Sequence, residues 1–408
     1  FNDTATTEIY TALNTLSLHD ALPISVEATT NGVIPQAPWR KTLLDSTADG
    51  KYLATTTYKG KTVVAYSDTQ RGLLKLATWS GSKWVIQTVD GEGTKGGKTN
   101  NSVAGSISAC TTKVGKTEYL NLYYGDLTNK DLRRASFNGK TWSFEIVDGN
   151  GPVIQNYKEV TRVRTASDVS VSNACAITSA GEQVFYRDES QGILLGATKR
   201  TTATKWTYEL IDGDRKTDNR TTGDVAFHLA AYVNKTITHL IYDSVLVINQ
   251  KREITSGEVR YATRNGVSPS SWSYSTLDQS DSAVPVAGFD VAIAPEKAGV
   301  RMVWIAAGAD SAPVPNQIRS TFVGKTKEIA TANTDGYGTP GARISLVNGE
   351  LIFNCEMRLC SMNLTQPNNP IRLVTSQQTT EPGHGIFVTV DKKRFLLAAL
   401  DRRIAFIA

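Results

Sequence analysis

The chain has 408 residues, 40% hydrophobic, 20% charged and 8% aromatic, with 32 glycines and a formal net charge of +5. That apolar fraction excludes a disordered chain, and no run of about 18 apolar residues suggests a spanning helix. The basicity is too mild and dispersed to argue for nucleic acid. Thr, Ser, Val and Tyr abound while only 3 Met occur, which favours strands.

At the N-terminus, Asn2 to Thr11 (NDTATTEIYT) and Thr15 to Ile24 (TLSLHDALPI) resemble the two halves of a translated short-read sequencing adapter. They stand in one frame, separated by three residues. Residues 1–24 are therefore expected to be non-native and 25–36 a linker, with any native leader lost. His19 and Asp20 fall in that stretch and carry no functional weight. Its removal leaves 44 basic residues against 36 acidic ones, a net charge of +8.

From there a repeat organises the chain. Trp is followed six residues later by Asp at Trp39 and Asp45, Trp84 and Asp90, Trp142 and Asp148, Trp206 and Asp212, and Trp272 and Asp278. The intervening segments (WVIQTVDG, WSFEIVDG, WTYELIDG) read as strands ending in an Asp-Gly turn. Upstream of each stands an apolar strand ending in an aromatic and an acid: VVAYSD, LYYGD, VFYRD and LIYD. Before that comes a strand of small residues. Seven such units begin near Tyr52, Ser102, Asp168, Asp224, Val286, Gly341 and His384. The last unit is one strand short, and the segment from Trp39 to Asp45 would complete it. The expectation is an all-β, seven-bladed β-propeller over residues 37–408, closed by pairing its termini. The repeated Trp and Asp are read as packing between blades and as turn caps.

Cys355 and Cys360 would face each other across a hairpin, and Cys110 and Cys175 occupy similar places on neighbouring inner strands. Two disulfides or four buried thiols both fit, whereas no zinc pattern does. Asn-x-Ser/Thr acceptors at Asn100, Asn219, Asn234 and Asn363 suit an extracellular protein.

Chemistry is sought where the repeat is broken, around the channel mouth on the face where inner strands begin. His228 replaces a small residue in DVAFHLAAY and His384 opens the last inner strand, so these two are the expected acid/base pair. His239 is read as structural. Arg162, Arg164, Arg220 and Arg343 precede or enter inner strands and are expected to bind a carboxylate; Arg187 lies on a neighbouring turn. Tyr337 is a candidate proton donor, and Asp224, Asp290 and Glu381 are the nearby acids. The sialidase box, the G-x-S-x-G elbow, the phosphate loop and the zinc helix are all missing. The Asp-Gly-x-Gly turns lack the alternating acids of a calcium loop. No metal ligand set is read, and calcium held by backbone carbonyls in the channel is the one ion left open.

With its closed ring and Trp and Asp-Gly repeats, the chain resembles the fungal secreted propeller polysaccharide lyases, similar to L-rhamnose-α-1,4-D-glucuronate lyase. It also resembles the fungal fucose-binding propeller lectins. The first resemblance implies β-elimination on an acidic plant or microbial polysaccharide of the gum arabic type. Arginines would neutralise the uronate, and His228 and His384 would serve as base and acid. The lectin reading implies equivalent sugar sites between blades, which the divergent loops disfavour. An exo-glycosidase using Asp224 with Asp290 or Glu381 is the third reading. All three imply a secreted, monomeric, carbohydrate-active protein, with no nucleic-acid or membrane partner.

Overall fold

The computed structural model describes residues 41–407 except 150–152, 156–161, 165, 249, 251–253, 269–270, 282–283, 285, 308–315, 326–339, 356–357, 366–370, 374–383 and 401–402. The adapter-like stretch, the linker, Trp39, Tyr337 and Glu381 all lie outside the described residues.

Seven sheets whose blade strands pair antiparallel form the expected propeller. Blade 1 consists of Leu53–Tyr58, Lys61–Asp68, Leu73–Trp79 and Trp84–Asp90. Blade 2 is Val103–Val114, Thr117–Asp126, Asp131–Phe137 and Trp142–Asp148, and blade 3 is Asn173–Thr178, Gly181–Asp188, Ile193–Arg200 and Thr207–Asp212. Blade 4 comprises Asp224–Asn234, Ile237–Ile248, Ile254–Asn265 and Ser273–Gln279. Blade 5 has three described strands, Val286–Glu296, Gly299–Ala307 and Gln317–Phe322. Blade 6 is Pro340–Val347, Glu350–Cys355, Arg358–Asn363 and Ile371–Leu373. In blade 7, His384–Val390, Lys393–Leu400 and Arg403–Ile407 are joined by the N-terminal strand Lys41–Asp45, which pairs antiparallel with the C-terminal one. Each inner strand touches the next, from blade 1 round to blade 7 and back, so the ring closes and no inner edge is exposed. Among the described residues the sole helical segment is the 3-10 turn Lys95–Gly97.

The repeated Asp does two jobs at once. One oxygen caps the turn that follows it: Asp45 accepts from Thr47 N, Asp90 from Thr99 N and Asp212 from Thr221 N, each at 2.8 Å. The other oxygen accepts a hydrogen bond from the repeated tyrosine of the next blade. Tyr66 donates to Asp45 at 3.0 Å, Tyr124 to Asp90 and Tyr186 to Asp148 at 2.5 Å, and Tyr242 to Asp212 at 2.6 Å. In blade 5 the indole of Trp304 takes that place and donates to Asp278 at 2.9 Å. A cation on the third strand completes the clamp in four blades: Lys75 to Asp45, Arg133 to Asp90, Arg260 to Asp212 and Arg319 to Asp278. A buried bond to a charged acceptor stabilises by about 1.5–3 kcal/mol, so these clamps explain the spacing of the repeat.

The repeated tryptophans pack against the preceding blade. Trp206 meets Tyr123 edge-on at 6.2 Å and Trp272 meets Phe185 at 5.8 Å. All four cysteines are bridged: Cys110 to Cys175 ties the inner strands of blades 2 and 3, and Cys355 to Cys360 crosses a hairpin. Among the described residues no helix is long and apolar enough to cross a membrane.

Candidate functional site at the channel mouth

Inner strands of blades 2, 4, 5 and 6 break register near their start. Pairing skips from Val103 to Ile107, Val225 to Leu229, Val286 to Asp290 and Gly341 to Ser345. Three of these bulges hold a non-glycine residue at positive φ: Ala104, Ala226 and Arg343. A bulge re-aims side chains, and here it does so on the face where the inner strands begin.

His228 is the last residue of the blade 4 bulge. Its backbone N–H donates to Asp243 Oδ1 at 3.0 Å, and its Nδ1 lies 3.0 Å from Asp243 Oδ2. Two contacts to one carboxylate fix both the backbone and the ring, leaving Nε2 on the side away from Asp243. The ring is 22% exposed while Asp243 is nearly buried. Burial pulls the imidazole pKa down, but the bond to Asp243 and the charges of Asp290 and Asp243 outweigh it, and the net direction is up.

Asp290, from blade 5, places its charge toward this histidine. Its Oδ2 accepts the backbone N–H of Arg343 and, at 2.9 Å, of Ile344, while Oδ1 accepts that of Val291 at 2.7 Å. It therefore holds the blade 6 bulge as well. Burial raises its pKa against the pull of His228 and of those N–H donors.

Asp224 opens the blade 4 inner strand, 25% exposed and 2.8 Å from the guanidinium of Arg187. Arg187 belongs to blade 3 and is wholly buried. It also donates to Glu189 and to the carbonyl of Val225, both at 2.5 Å, and lies 3.7 Å over the ring of Phe227. Glu189 is itself buried, which raises its pKa against the Arg187 charge.

Five of the expected residues thus lie on the inner strands of four successive blades: Asp224 and His228, Asp290, Arg343 and His384. His384 opens the blade 7 inner strand. Burial first, and the nearby Arg343 charge second, push its pKa down to about 3, and its Nδ1 has no hydrogen-bond partner. It is a neutral imidazole at ordinary pH.

The other arginines lie elsewhere. Arg162–Arg164 is not a mouth loop but the outermost strand of the six-stranded third sheet, because the chain before that blade doubles back as a hairpin with Val153–Gln155. Arg220 is buried at the outer rim between blades 3 and 4, 2.5 Å from Asp214 and 5.8 Å over the Tyr274 ring. Among the described residues no group of three or more His, Cys, Asp or Glu is placed to hold a metal ion.

Asp243 is the residue that reading the repeat passed over. The acid follows the aromatic by two residues at Asp68, Asp126 and Asp188, but by one at Asp243. In the first three it caps the hairpin turn, as Asp126 does for Thr128 and Asn129. A shift of one residue turns the side chain to the other face of the strand, toward the inner bulge. The broken spacing was the visible signal.

No family model and no curated protein matches the sequence. Several solved structures are similar in outline. An exo-1,5-α-L-arabinanase from a bovine ruminal metagenomic library is 7% identical over 72% of this chain and 98% of its own, with a TM-score of 0.37. An α-L-arabinofuranosidase from Lactobacillus brevis is 9% identical over 85% of this chain and 92% of its own, at 0.34. The extracellular domain of a one component system from B. thetaiotaomicron is 11% identical over 90% of this chain, which spans 40% of that protein, at 0.48.

Proposed function

We propose that this protein is a glycan-cleaving enzyme working at the channel mouth, with the His228–Asp243 dyad as its proton-transfer group. The observation that carries this reading is a half-buried histidine held at backbone and ring by one carboxylate, on an inner-strand bulge. That is the arrangement that fixes a tautomer and aims the second nitrogen at a substrate.

The charges around the dyad favour hydrolysis of a neutral sugar. Asp224, Asp243, Asp290 and Glu189 face Arg187, Arg343 and His228, and Arg187 is already committed to two of those acids. A uronate would add negative charge to this group. In the hydrolytic route the His228 imidazolium protonates the departing glycosidic oxygen. Water attacks the anomeric carbon and gives its proton to Asp224.

Elimination is the second reading, favoured by the dyad's capacity as a base and by Arg343 at the same mouth. There His228 Nε2 takes the C5 proton of a uronate, the C4–O bond breaks, and the imidazolium so formed returns that proton to the leaving oxygen. The arabinosides named for the similar structures and gum arabic together make the test panel. New reducing ends without absorbance near 235 nm support hydrolysis, and absorbance near 235 nm supports elimination. Binding without cleavage of any glycan would overturn the enzymatic reading in favour of a lectin.

A further inference from the structure

The contacts of Arg187 extend to three residues within four successive positions of another blade. Its guanidinium reaches from the second strand of blade 3 to Asp224, to the Val225 carbonyl and to the Phe227 ring, with Ala226 at positive φ between them. His228 follows directly. The bulge carries backbone strain at Ala226, and such a conformation persists where surrounding contacts over-determine it. We propose that Arg187 is the positioning residue of His228, gripping the blade 4 bulge from the neighbouring blade so that the imidazole meets Asp243 and faces the mouth.

The geometry has few substitutes. A planar fork satisfies a carboxylate, a carbonyl and a second carboxylate while stacking on a ring; a lysine ammonium satisfies such a set poorly. At the corresponding place after the repeated aromatic, blades 1 and 2 carry Ser67 and Gly125. Gly125 leaves room instead for the Ser170 backbone, which a Cβ there would meet at 1.9 Å. The grip is therefore confined, among these blades, to the junction that precedes the dyad. Arg187 also opposes the charging of His228, while Asp243 and Asp290 favour it.

The inference rests on the dyad being the proton-transfer group, yet its test needs no turnover. His228 is titrated by NMR in the wild type, R187M and R187K, with R264M as the control. Arg264 is equally buried and paired with Glu209 at 2.7 Å, outside the mouth cluster. R187K keeps the charge but loses the fork, so the loosened contact to Asp243 should move the His228 titration downward; in R187M the lost charge opposes that fall, so it should titrate above R187K. R264M should leave it in place. On a cleaved glycan both Arg187 variants should lose about 10²-fold in kcat/KM, the scale of an ångström-sized misplacement. An unmoved His228 titration in R187K, or R187K as active as the wild type, would overturn the assignment. If R187M does not fold, R187K alone decides by the same two readouts. Failure to cleave any glycan would remove the functional reading but leave the titration result standing.

Discussion

Asp131 is a buried acid where the repeat calls for an apolar residue. It opens the third strand of blade 2 directly opposite Asp126, whereas Leu73 and Ile193 hold that place opposite Asp68 and Asp188. Its side chain is fully buried and neither oxygen has a hydrogen-bond partner. Burial, then the charges of Asp126 and Asp148, raise its pKa from 3.8 to about 6 against the pull of Arg133. A carboxyl that holds its proton more tightly when folded destabilises the native state once it must ionise. The cost is absent below about pH 4, grows between about 4 and 6 and then levels off. A shift of that size corresponds to about 3 kcal/mol, which screening at the blade edge reduces to about 1–2 kcal/mol. Replacing Asp131 with Asn removes the charge and keeps the shape. D131N should melt about 1–3 °C above the wild type at pH 7.5 in a chain of this size. The two should converge below pH 4. Scanning calorimetry across that range checks both statements. A variant no more stable at pH 7.5, or one whose advantage is the same at pH 4, would refute the reasoning.

Other outcomes follow from the same contacts. Serine at both Cys110 and Cys175 should cost about 4 kcal/mol of stability, since that bridge closes a 65-residue separation, and serine at Cys355 and Cys360 about 2 kcal/mol; denaturant melts rank the two. Asp45, for which burial is outweighed by hydrogen bonds from Lys75, Thr47 and Tyr66, has its pKa lowered to about 2. Its stabilising contribution is present above about pH 4 and lost as pH falls toward 2, and D45N should flatten the acid limb of the stability curve. His384, with its pKa near 3, should show no NMR titration between pH 5 and 9, whereas His228 should titrate above an ordinary histidine.

The architecture was legible because the clamp is periodic. Asp45, Asp90, Asp148 and Asp212 each serve a turn and the next blade's tyrosine, so their spacing from Trp repeats along the chain. Six of the seven inner strands begin within a residue of the expected position, and the third begins at Asn173 rather than near Asp168. The segment before it runs as a loop, with Asp168 accepting from Ser170. The site was legible only where it broke that period. His228, Asp224 and Asp290 stood out as exceptions on inner strands, where Asp290 acts on His228 and Asp224 pairs with Arg187. Arg162 and Arg164 were misplaced because a short hairpin carries that stretch to the outer edge of blade 3. Arg220 was misread because proximity to an inner strand in sequence says nothing of the Asp214 carboxylate that holds it. The protonation of His384 could not be read at all, since burial and the Arg343 charge depend on neighbours from other blades.

The central claim is that His228 moves a proton because Asp243 holds it. The D243N variant tests this most directly, since asparagine keeps an oxygen for the His228 backbone N–H and replaces the charged acceptor facing the ring with a neutral NH2 donor. In a pH–rate profile on a cleaved glycan, D243N should lose about 10²- to 10⁴-fold in kcat, with its melting curve little changed and the His228 titration moved downward. Cleavage by D243N at the wild-type rate, with the same pH profile, would contradict it.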